Sequence, residues 1–160
     1  MKTKKVAVIG GGAAGFFAAI SVKENHPSHQ VILFEKTSKV LSKVRISGGG
    51  RCNVTHDCSD IPTLCEAYPR GGKKLKSLFY QFSKSDTVDW FESRGIPLKT
   101  EIDGRMFPES NNSQSIIDCL ESEIARLKVT LKLGQTIEQI EQDGIGWKLN
   151  FKDQSNQKFD

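Results

Sequence analysis

A run of glycines directly after an apolar segment constrains the fold of this chain more than any other feature of its sequence. The segment Lys5 to Ile9 is short, apolar and rich in β-branched residues, which is typical of a strand buried on both faces of a parallel sheet. The glycine run Gly10 to Gly15 follows at once, and residues 13–24 then predict a helix that stops before His26-Pro27. A second apolar run over residues 30–35 completes a strand–helix–strand unit of about thirty residues. The sequence therefore predicts an α/β fold with a Rossmann-like parallel sheet.

The glycine run, Gly-Gly-Gly-Ala-Ala-Gly, has the spacing of a dinucleotide-binding turn. Gly10 permits a tight turn, Gly12 lets the backbone approach a pyrophosphate, and Gly15 lets the helix pack closely on the strand. Glu35 comes 20 residues after Gly15, where its carboxylate can accept hydrogen bonds from both hydroxyls of an adenosine ribose. The alternative is a glycine-rich turn followed by a solvated acid. The candidate residues for the adenosine diphosphate end of a cofactor are Gly10, Gly12, Ala13, Ala14, Gly15 and Glu35.

A second glycine-rich segment lies within residues 36–60, which are rich in Ser, Gly, Lys and Asn and predict mostly loop. Its three glycines expose backbone amides, and Arg51 and Asn53 add a cation and a side-chain amide. Such a loop can hold an anion or the edge of a flavin, or it can be a surface loop. Cys52 has neither a CxxC partner nor an evident base, so we expect a packed thiol rather than a nucleophile. The candidate cofactor contacts here are Ser47, Gly48, Gly49, Gly50, Arg51, Cys52 and Asn53.

The rest of the chain predicts helical material followed by short strands. Helices are predicted over 73–82, 85–94 and 113–127, an extended piece over 104–108, strands over 129–133, 137–142 and 147–151, and a polar tail after them. Asp143-Gly144 is a turn signal, so the last two strands predict a small antiparallel hairpin layer. We see no linker, and we therefore expect one dinucleotide-binding domain over 1–160, with a helical insertion over 66–110 as an option.

The net charge of +4 is unevenly distributed along the chain. Residues 1–84 contain 14 Lys and Arg against 5 Asp and Glu, whereas residues 85–160 contain 9 against 14. Lys43, Arg45 and Arg51 flank the second glycine segment, so a pyrophosphate ligand explains this charge more economically than a nucleic acid does. The basic stretch Arg70 to Lys76 can be an anion site, although it is more typical of a solvated helix start. We expect a small-molecule substrate and no nucleic-acid partner.

The composition, with 37% hydrophobic and 26% charged residues, is that of a globular protein and excludes a disordered chain. The apolar run before Gly10 is too short for a signal peptide or a membrane span, so we expect a cytoplasmic protein without a membrane partner. Reduced thiols are then expected at Cys52, Cys58, Cys65 and Cys119. The spacing of Cys52, His56, Cys58 and Cys65 misses the usual zinc patterns, so no metal is expected.

Two further segments carry a family resemblance, namely ISGGGRCNVT over 46–55 and GIPLKTEIDGRMFPES over 95–110. With the glycine motif and Glu35, they resemble the BaiN/YhiN-type flavoproteins, also described as aminoacetone-oxidase-like NAD(P)/FAD-dependent oxidoreductases. The resemblance covers nearly the whole chain. It implies a glutathione-reductase-like FAD domain in which Lys43 and the loop Ser47 to Asn53 lie along the cofactor, and it makes Lys36 and Ile137 further candidate contacts.

The chain also departs from the family pattern. His56 stands where the family usually has Asn, and Arg45 where an aliphatic residue is common. Family members are more than twice as long, so the expectation is an N-terminal portion of the family fold without its C-terminal part.

Three functions are compatible with these features. By resemblance, the complete enzyme would pass hydride from NAD(P)H through FAD to an organic substrate, with the flavin supplying the redox chemistry. A truncated, non-catalytic FAD- or nucleotide-binding module is the alternative. An NAD-binding domain of a dehydrogenase or regulator is the third, and it would leave the loop Ser47 to Asn53 without a task. No catalytic residue and no oligomeric state can be assigned. Arg105 can orient an anionic group, but a salt-bridged surface arginine is more common.

Overall fold

The computed structural model describes residues 2–160 and contains nine strands, six α-helices and one 3-10 turn in the described residues. In chain order these are β1 (Lys5–Ile9), α1 (Ala13–Asn25), β2 (Gln30–Phe34), α2 (Ser42–Ile46), the 3-10 turn Ser47–Gly50, β3 (Thr55–His56), α3 (Ile61–Glu66), α4 (Gly72–Phe79), α5 (Lys84–Glu92), β4 (Leu98–Thr100), β5 (Arg105–Pro108), α6 (Ser113–Arg126), β6 (Thr130–Lys132), β7 (Ile137–Asp143), β8 (Gly146–Phe151) and β9 (Asn156–Phe159). The chain forms two compact units. The first comprises the chain up to Val44 together with Leu120–Asp160, and the second comprises Arg45–Cys119.

The first unit contains the predicted parallel sheet, with β2 between β1 and β6. Val6 of β1 is paired with Val31 of β2, and Leu33 of β2 with Leu131 of β6. The last four residues of β2 are buried because the strand has neighbours on both edges and packed faces on both sides, which explains its continuous apolar run. The predicted Rossmann-like α/β fold is therefore confirmed, and α1 follows β1 as expected, with its buried face formed by Gly15, Phe16, Ala19 and Ile20.

A three-stranded antiparallel sheet, in the order β7-β8-β9, completes the first unit. Its apolar side chains join the β2 residues in one core cluster formed by Ile32, Phe34, Leu149, Phe151 and Phe159. The predicted hairpin of β7 and β8 is confirmed, but the expected polar tail is wrong, because residues 156–159 form β9. In an otherwise polar segment, the single Phe159 ring packs edge-on against Phe34 at 5.9 Å between centroids. One buried aromatic ring and the ladder to β8 thus fix a strand that has no apolar periodicity.

The second unit is built on a small antiparallel sheet in the order β3-β5-β4, together with α3, α4 and α5. Met106 and Phe107 of β5 are buried at 6% and 0% exposure and form its apolar centre. Helix α5 begins with a capping box, in which Ser83 and Asp86 satisfy each other's backbone N–H groups. The range of the expected insertion, 66–110, lies within this unit.

The expectation of loop over 36–60 is wrong in part. Residues 42–46 form α2, residues 47–50 a 3-10 turn and residues 55–56 the short strand β3. These elements are only two to five residues long, so they contain too few residues to show a helical or strand periodicity. In the described part of the chain, no helix has both the length and the apolar character needed to span a bilayer.

Candidate functional site

The glycine turn between β1 and α1 is shaped by close backbone approaches. Gly10 has a positive φ of 106° and donates its N–H to the Phe34 carbonyl at 2.8 Å. A Cβ atom added at Gly15 would overlap the Gly10 carbonyl oxygen, so only glycine allows α1 to begin this close to β1. At Gly12, by contrast, an added Cβ meets nothing within 4 Å. The backbone at Gly12 therefore faces open space.

The first turn of α1 presents its backbone to that space. Gly12 is the N-cap in extended conformation, and no side chain caps the helix. Ala13 and Ala14 are exposed, and the first turn contains no acidic residue. The N–H groups at a helix N-terminus carry partial positive charge and favour an anion. The turn can thus accept a phosphate without first displacing a carboxylate of its own.

Glu35, directly after β2, is hydrogen-bonded to the glycine turn. Its Oε2 accepts the N–H of Gly11 at 2.8 Å, and its Oε1 accepts both the N–H and the hydroxyl of Thr37, at 2.8 and 2.9 Å. Burial acts to raise the pKa of Glu35, but the hydrogen bonds from Thr37 and Gly11 outweigh it and lower the pKa from its usual value. An ionised carboxylate offers about four lone-pair positions, so after these three bonds Oε2 can still accept one more donor.

Gly11 and Thr37 are the residues of this region that the motif analysis did not single out. A Cβ added at Gly11 would lie 2.8 Å from a methyl group of Val40 and 2.9 Å from the Glu35 Cβ, so this glycine is required for the contact with Glu35. The only sequence signal for Gly11 is that it lies between two motif glycines, Gly10 and Gly12. Of the remaining candidates of the first unit, Lys36 and Lys43 are exposed, and Ile137 is half-buried at the start of β7.

The second glycine segment adopts a left-handed backbone over several residues. Gly48, Gly49, Gly50 and Cys52 have φ values of 56°, 69°, 85° and 63°. The N–H of Cys52 donates to the Ser47 carbonyl at 3.0 Å and closes the turn. A Cβ at Gly48 would lie 2.8 Å from the Phe107 ring, whereas Gly49 has open space. The glycines are needed both for the positive φ values and for the approach to β5.

Arg51 fastens this loop to the strands of the second unit. Its guanidinium forms an ion pair with Glu101 and lies over the Phe107 ring, with Cζ 3.9 Å from the ring centroid. With the amide nitrogen of Asn53 facing the backbone carbonyls, its side chain donates to Met106 at 3.2 Å and to Thr55 at 2.9 Å. These interactions make the loop a built structure rather than a mobile surface segment.

Two further expectations concern Cys52 and Arg105. Cys52 is buried, and burial raises the pKa of its thiol, although a hydrogen bond with Ser47 acts in the other direction. A raised pKa leaves little thiolate at neutral pH, which agrees with a packed thiol rather than a nucleophile. Arg105 donates to Asp103 at 2.8 Å and is nearly half exposed, so it has the salt-bridged surface position expected of most arginines.

A parallel sheet whose first strand leads into a glycine turn, and whose second strand ends at an ionised carboxylate bonded to that turn, defines a Rossmann-like dinucleotide-binding domain. Comparison with sequence families supports the same class. The sequence model of the HI0933-like protein Rossmann domain matches residues 4–160, and the chain belongs to this family of flavoprotein oxidoreductases. The resemblance read from the motifs is thereby confirmed.

Among curated relatives, the chain is 29% identical over 143 residues to a 3-dehydro-bile acid delta(4,6)-reductase of Clostridium scindens. It is also 29% identical over 143 residues to a ribosomal RNA dihydrouridine synthase of Escherichia coli. Each match covers 89% of this chain and 34% of the relative. The chain therefore spans about a third of the length of the curated relatives that it matches.

Two solved structures show the same fold at low identity. A flavocytochrome c3 fumarate reductase matches with a TM-score of 0.66 and 22% identity, covering 98% of this chain and 32% of that chain. A 3-ketosteroid-delta4-(5alpha)-dehydrogenase from Rhodococcus jostii RHA1 matches with a TM-score of 0.68 and 13% identity, covering 98% and 43%. Both likenesses concern the fold alone.

Proposed function

We propose that this chain is the FAD-binding portion of a flavin-dependent reductase that uses NAD(P)H and acts on a carbon–carbon double bond conjugated to a carbonyl group. The observation that carries the FAD assignment is the Glu35 carboxylate, ionised and bonded to Gly11 beside the uncapped start of α1. The turn thus offers N–H donors to a phosphate, and the carboxylate bonded to it can accept a hydrogen bond from a ribose, as an adenosine diphosphate group requires.

The residues of the first unit fit the adenosine diphosphate part of FAD. The open backbone at Gly12 and the exposed first turn at Ala13 and Ala14 would hold the pyrophosphate through N–H groups. The remaining acceptor position on the Glu35 Oε2 would hold a ribose hydroxyl. Lys43 and the loop Ser47 to Asn53 remain the predicted contacts for the rest of the cofactor. The bound flavin would supply the hydride chemistry, and the protein would position it.

The class of substrate is proposed from the reactions of the two curated relatives. A 3-dehydro, delta(4,6) bile acid contains ring double bonds conjugated to a ketone, and a dihydrouridine is a uridine whose ring double bond, conjugated to a carbonyl, has been reduced. The two substrates differ greatly in size, yet in both the reduced carbon–carbon double bond is conjugated to a carbonyl group. This shared group supports reduction of a polarised double bond rather than one particular substrate. The four free cysteines support the further proposal of a reducing, cytoplasmic location.

The deciding experiment is the visible absorption spectrum of the purified chain after incubation with FAD and gel filtration. We expect flavin bands in the wild type, their loss in Gly12→Val, whose side chain would fill the phosphate position, and their retention in the exposed-surface control Glu121→Gln. A wild-type chain that cannot be reconstituted would contradict the proposal. Bound FAD that is not reduced by NADH or NADPH would instead support the alternative of a non-catalytic FAD-binding module.

A further inference from the structure

Helix α4 of the second unit and the segment before it carry a basic surface that the proposed flavin site does not use. From Arg70 to Lys84 the chain has five Lys and Arg residues and no Asp or Glu. Lys73, Lys74 and Lys76 are exposed and line, with Tyr68, one open groove of about 630 Å³. Among the described residues around this groove, Glu66 is the one acid. We call Tyr68, Arg70, Lys73, Lys74, Lys76 and Tyr80 the basic–aromatic surface.

Three of the four cations of this surface have no ion-pair partner among residues 2–160, and the fourth, Lys76, lies within electrostatic range of Asp60. Within residues 2–160, no salt bridge holds Arg70, Lys73 or Lys74, whereas the nearby Lys84 is paired with Asp57 at 2.9 Å. Lys73 and Lys76 are three positions apart on one short helix, so their like charges repel each other. This repulsion between lysines lowers the stability of the free protein. An anionic partner that neutralises the lysines would explain why they lie together.

Helix α4, which presents the three lysines, packs against α3 in a defined way. Asp60 caps α3, accepting the Thr63 N–H at 2.9 Å. A Cβ at Gly72 would overlap the carbonyl oxygen of Cys65, so glycine allows α4 to begin in contact with α3. The rings of Tyr68 and Phe79 are in contact at 5.7 Å between centroids. The spacing of the lysines on α4 is therefore fixed before any partner binds.

Aromatic rings accompany the cations. Tyr68 is 43% exposed and Tyr80, directly after α4, is 65% exposed. Exposed tyrosines beside lysines suit a single-stranded nucleic acid, whose bases stack on aromatic rings while its phosphates meet the cations. A membrane surface suits this segment less well. Helix α4 has eight residues, a length of about 12 Å, and its Leu75 and Phe79 are half-buried, so little apolar surface remains for insertion.

We propose that the basic–aromatic surface binds an unpaired segment of RNA. This revises the expectation of no nucleic-acid partner, which treated the basic stretch as a solvated helix start. The inference rests on the proposed function for the choice of RNA over DNA, because uridine, one of the two kinds of substrate considered there, occurs in RNA. Binding itself requires only the second unit's own residues.

The expected salt dependence follows from the number of cations. If Arg70, Lys73, Lys74 and Lys76 each neutralise one phosphate, the slope of log K against log salt is about −2.8 for a single strand. The affinity then falls by about 50-fold between 50 and 200 mM salt. Replacement of the three lysines leaves one phosphate contact and a slope of about −0.7.

The test is fluorescence anisotropy with a labelled, unstructured, uridine-rich RNA of 20 nucleotides, titrated with the whole chain at several salt concentrations. The variant Lys73→Gln/Lys74→Gln/Lys76→Gln should bind about tenfold or more weakly at low salt, with the shallower slope. The charge-matched control Lys2→Gln/Lys4→Gln/Lys152→Gln, at three exposed lysines of the other unit, should keep both affinity and slope. Tyr80→Ala should lower the affinity by about fivefold or more through lost stacking, and leave the slope unchanged.

Equal RNA affinity in the two triple variants would overturn the inference. The inference would also be overturned if the wild-type chain did not bind RNA but bound phosphatidylserine vesicles, and if the triple lysine variant lost that vesicle binding. Should circular dichroism show that the triple variant is unfolded, the single variants Lys73→Gln and Lys76→Gln decide, each reducing the slope by about 0.7. Gly12→Val separates the two proposals, since it removes FAD binding and should retain RNA binding, whereas failure of FAD binding in the wild type leaves the RNA result valid.

Discussion

Replacement of Glu35 by Gln tests the link between the carboxylate and the glycine turn. Three donors meet this carboxylate, namely the Gly11 N–H, the Thr37 N–H and the Thr37 hydroxyl. A glutamine has one acceptor oxygen, so its NH₂ group must face at least one of these donors. An amide oxygen that faces Thr37 keeps two of the three hydrogen bonds, and the NH₂ group then faces the N–H of Gly11, which is buried away from water. We therefore expect the Gly11 N–H to be the group left unsatisfied.

The magnitude follows from that unsatisfied group. A buried donor that loses its partner costs about 1–3 kcal/mol, so Glu35→Gln should lower the free energy of unfolding by about this amount. The variant should also lose the acceptor position proposed for the ribose, weakening FAD binding by roughly tenfold or more, since 1.4 kcal/mol corresponds to a factor of ten. Urea unfolding followed by circular dichroism measures the first effect, and titration of FAD fluorescence measures the second. Glu121→Gln, an exposed residue of α6, is the matched control.

The pH dependence of the free energy of unfolding tests the same interaction independently. Because the folded pKa of Glu35 lies below its unfolded value, the carboxylate stabilises the fold above the unfolded pKa, and this contribution is lost as pH falls through the folded pKa. The difference in unfolding free energy between wild type and Glu35→Gln should thus be largest near neutral pH and shrink below about pH 4.5. A difference independent of pH, or FAD binding equal to that of Glu121→Gln, would refute the reasoning.

Two further predictions concern the second unit. Glu101→Gln removes the ion-pair partner of Arg51 and should lower the free energy of unfolding by only about 0.5–1 kcal/mol, because the pair is about one-third exposed. Trypsin should also cleave after Arg51 faster in this variant. Asp103→Asn, which removes the partner of Arg105 and leaves the Arg51 pair in place, is the control, and equal cleavage rates in the two variants would contradict the assigned role. With iodoacetamide and mass spectrometry, Cys58 and Cys65 should be alkylated well before the buried Cys52 and Cys119. Early labelling of Cys52 would show that its thiol is not packed as described.

The parts of the fold that could be predicted from sequence are those fixed by local patterns. The order β1-α1-β2 follows from the apolar runs and from Gly10 and Gly15, whose steric tasks recur wherever a helix starts this close to a strand. Strand β9 could not be predicted, because Phe159 alone connects it to the core. Helix α2 is too short for a periodic pattern.

The candidate site divides in the same way. The roles of Gly12 and Glu35 could be proposed from spacing alone, whereas the bond from Gly11 joins residues 24 positions apart and has no sequence signal of its own. The pairing of Arg51 with Glu101 spans 50 positions. The sequence predicted that Arg51 contacts an anionic ligand. The structure shows that Arg51 also anchors its own loop through Glu101. Charged residues far apart in the sequence come into contact only when the sheet has packed, so no local sequence pattern predicts their pairing.

The closure of β9 on the first strand has a consequence for synthesis of the protein. The Asp160 N–H donates to the Lys5 carbonyl at 3.0 Å, the Lys5 N–H donates to the Asp160 side chain at 2.7 Å, and the Phe34 ring is covered by Phe159. At about 5–20 residues per second, a ribosome needs roughly 6–25 s to progress from position 34 to position 159. During that interval one face of β2 lacks its final cover, so the nascent chain exposes an apolar strand on which a chaperone, or a second nascent chain, can act.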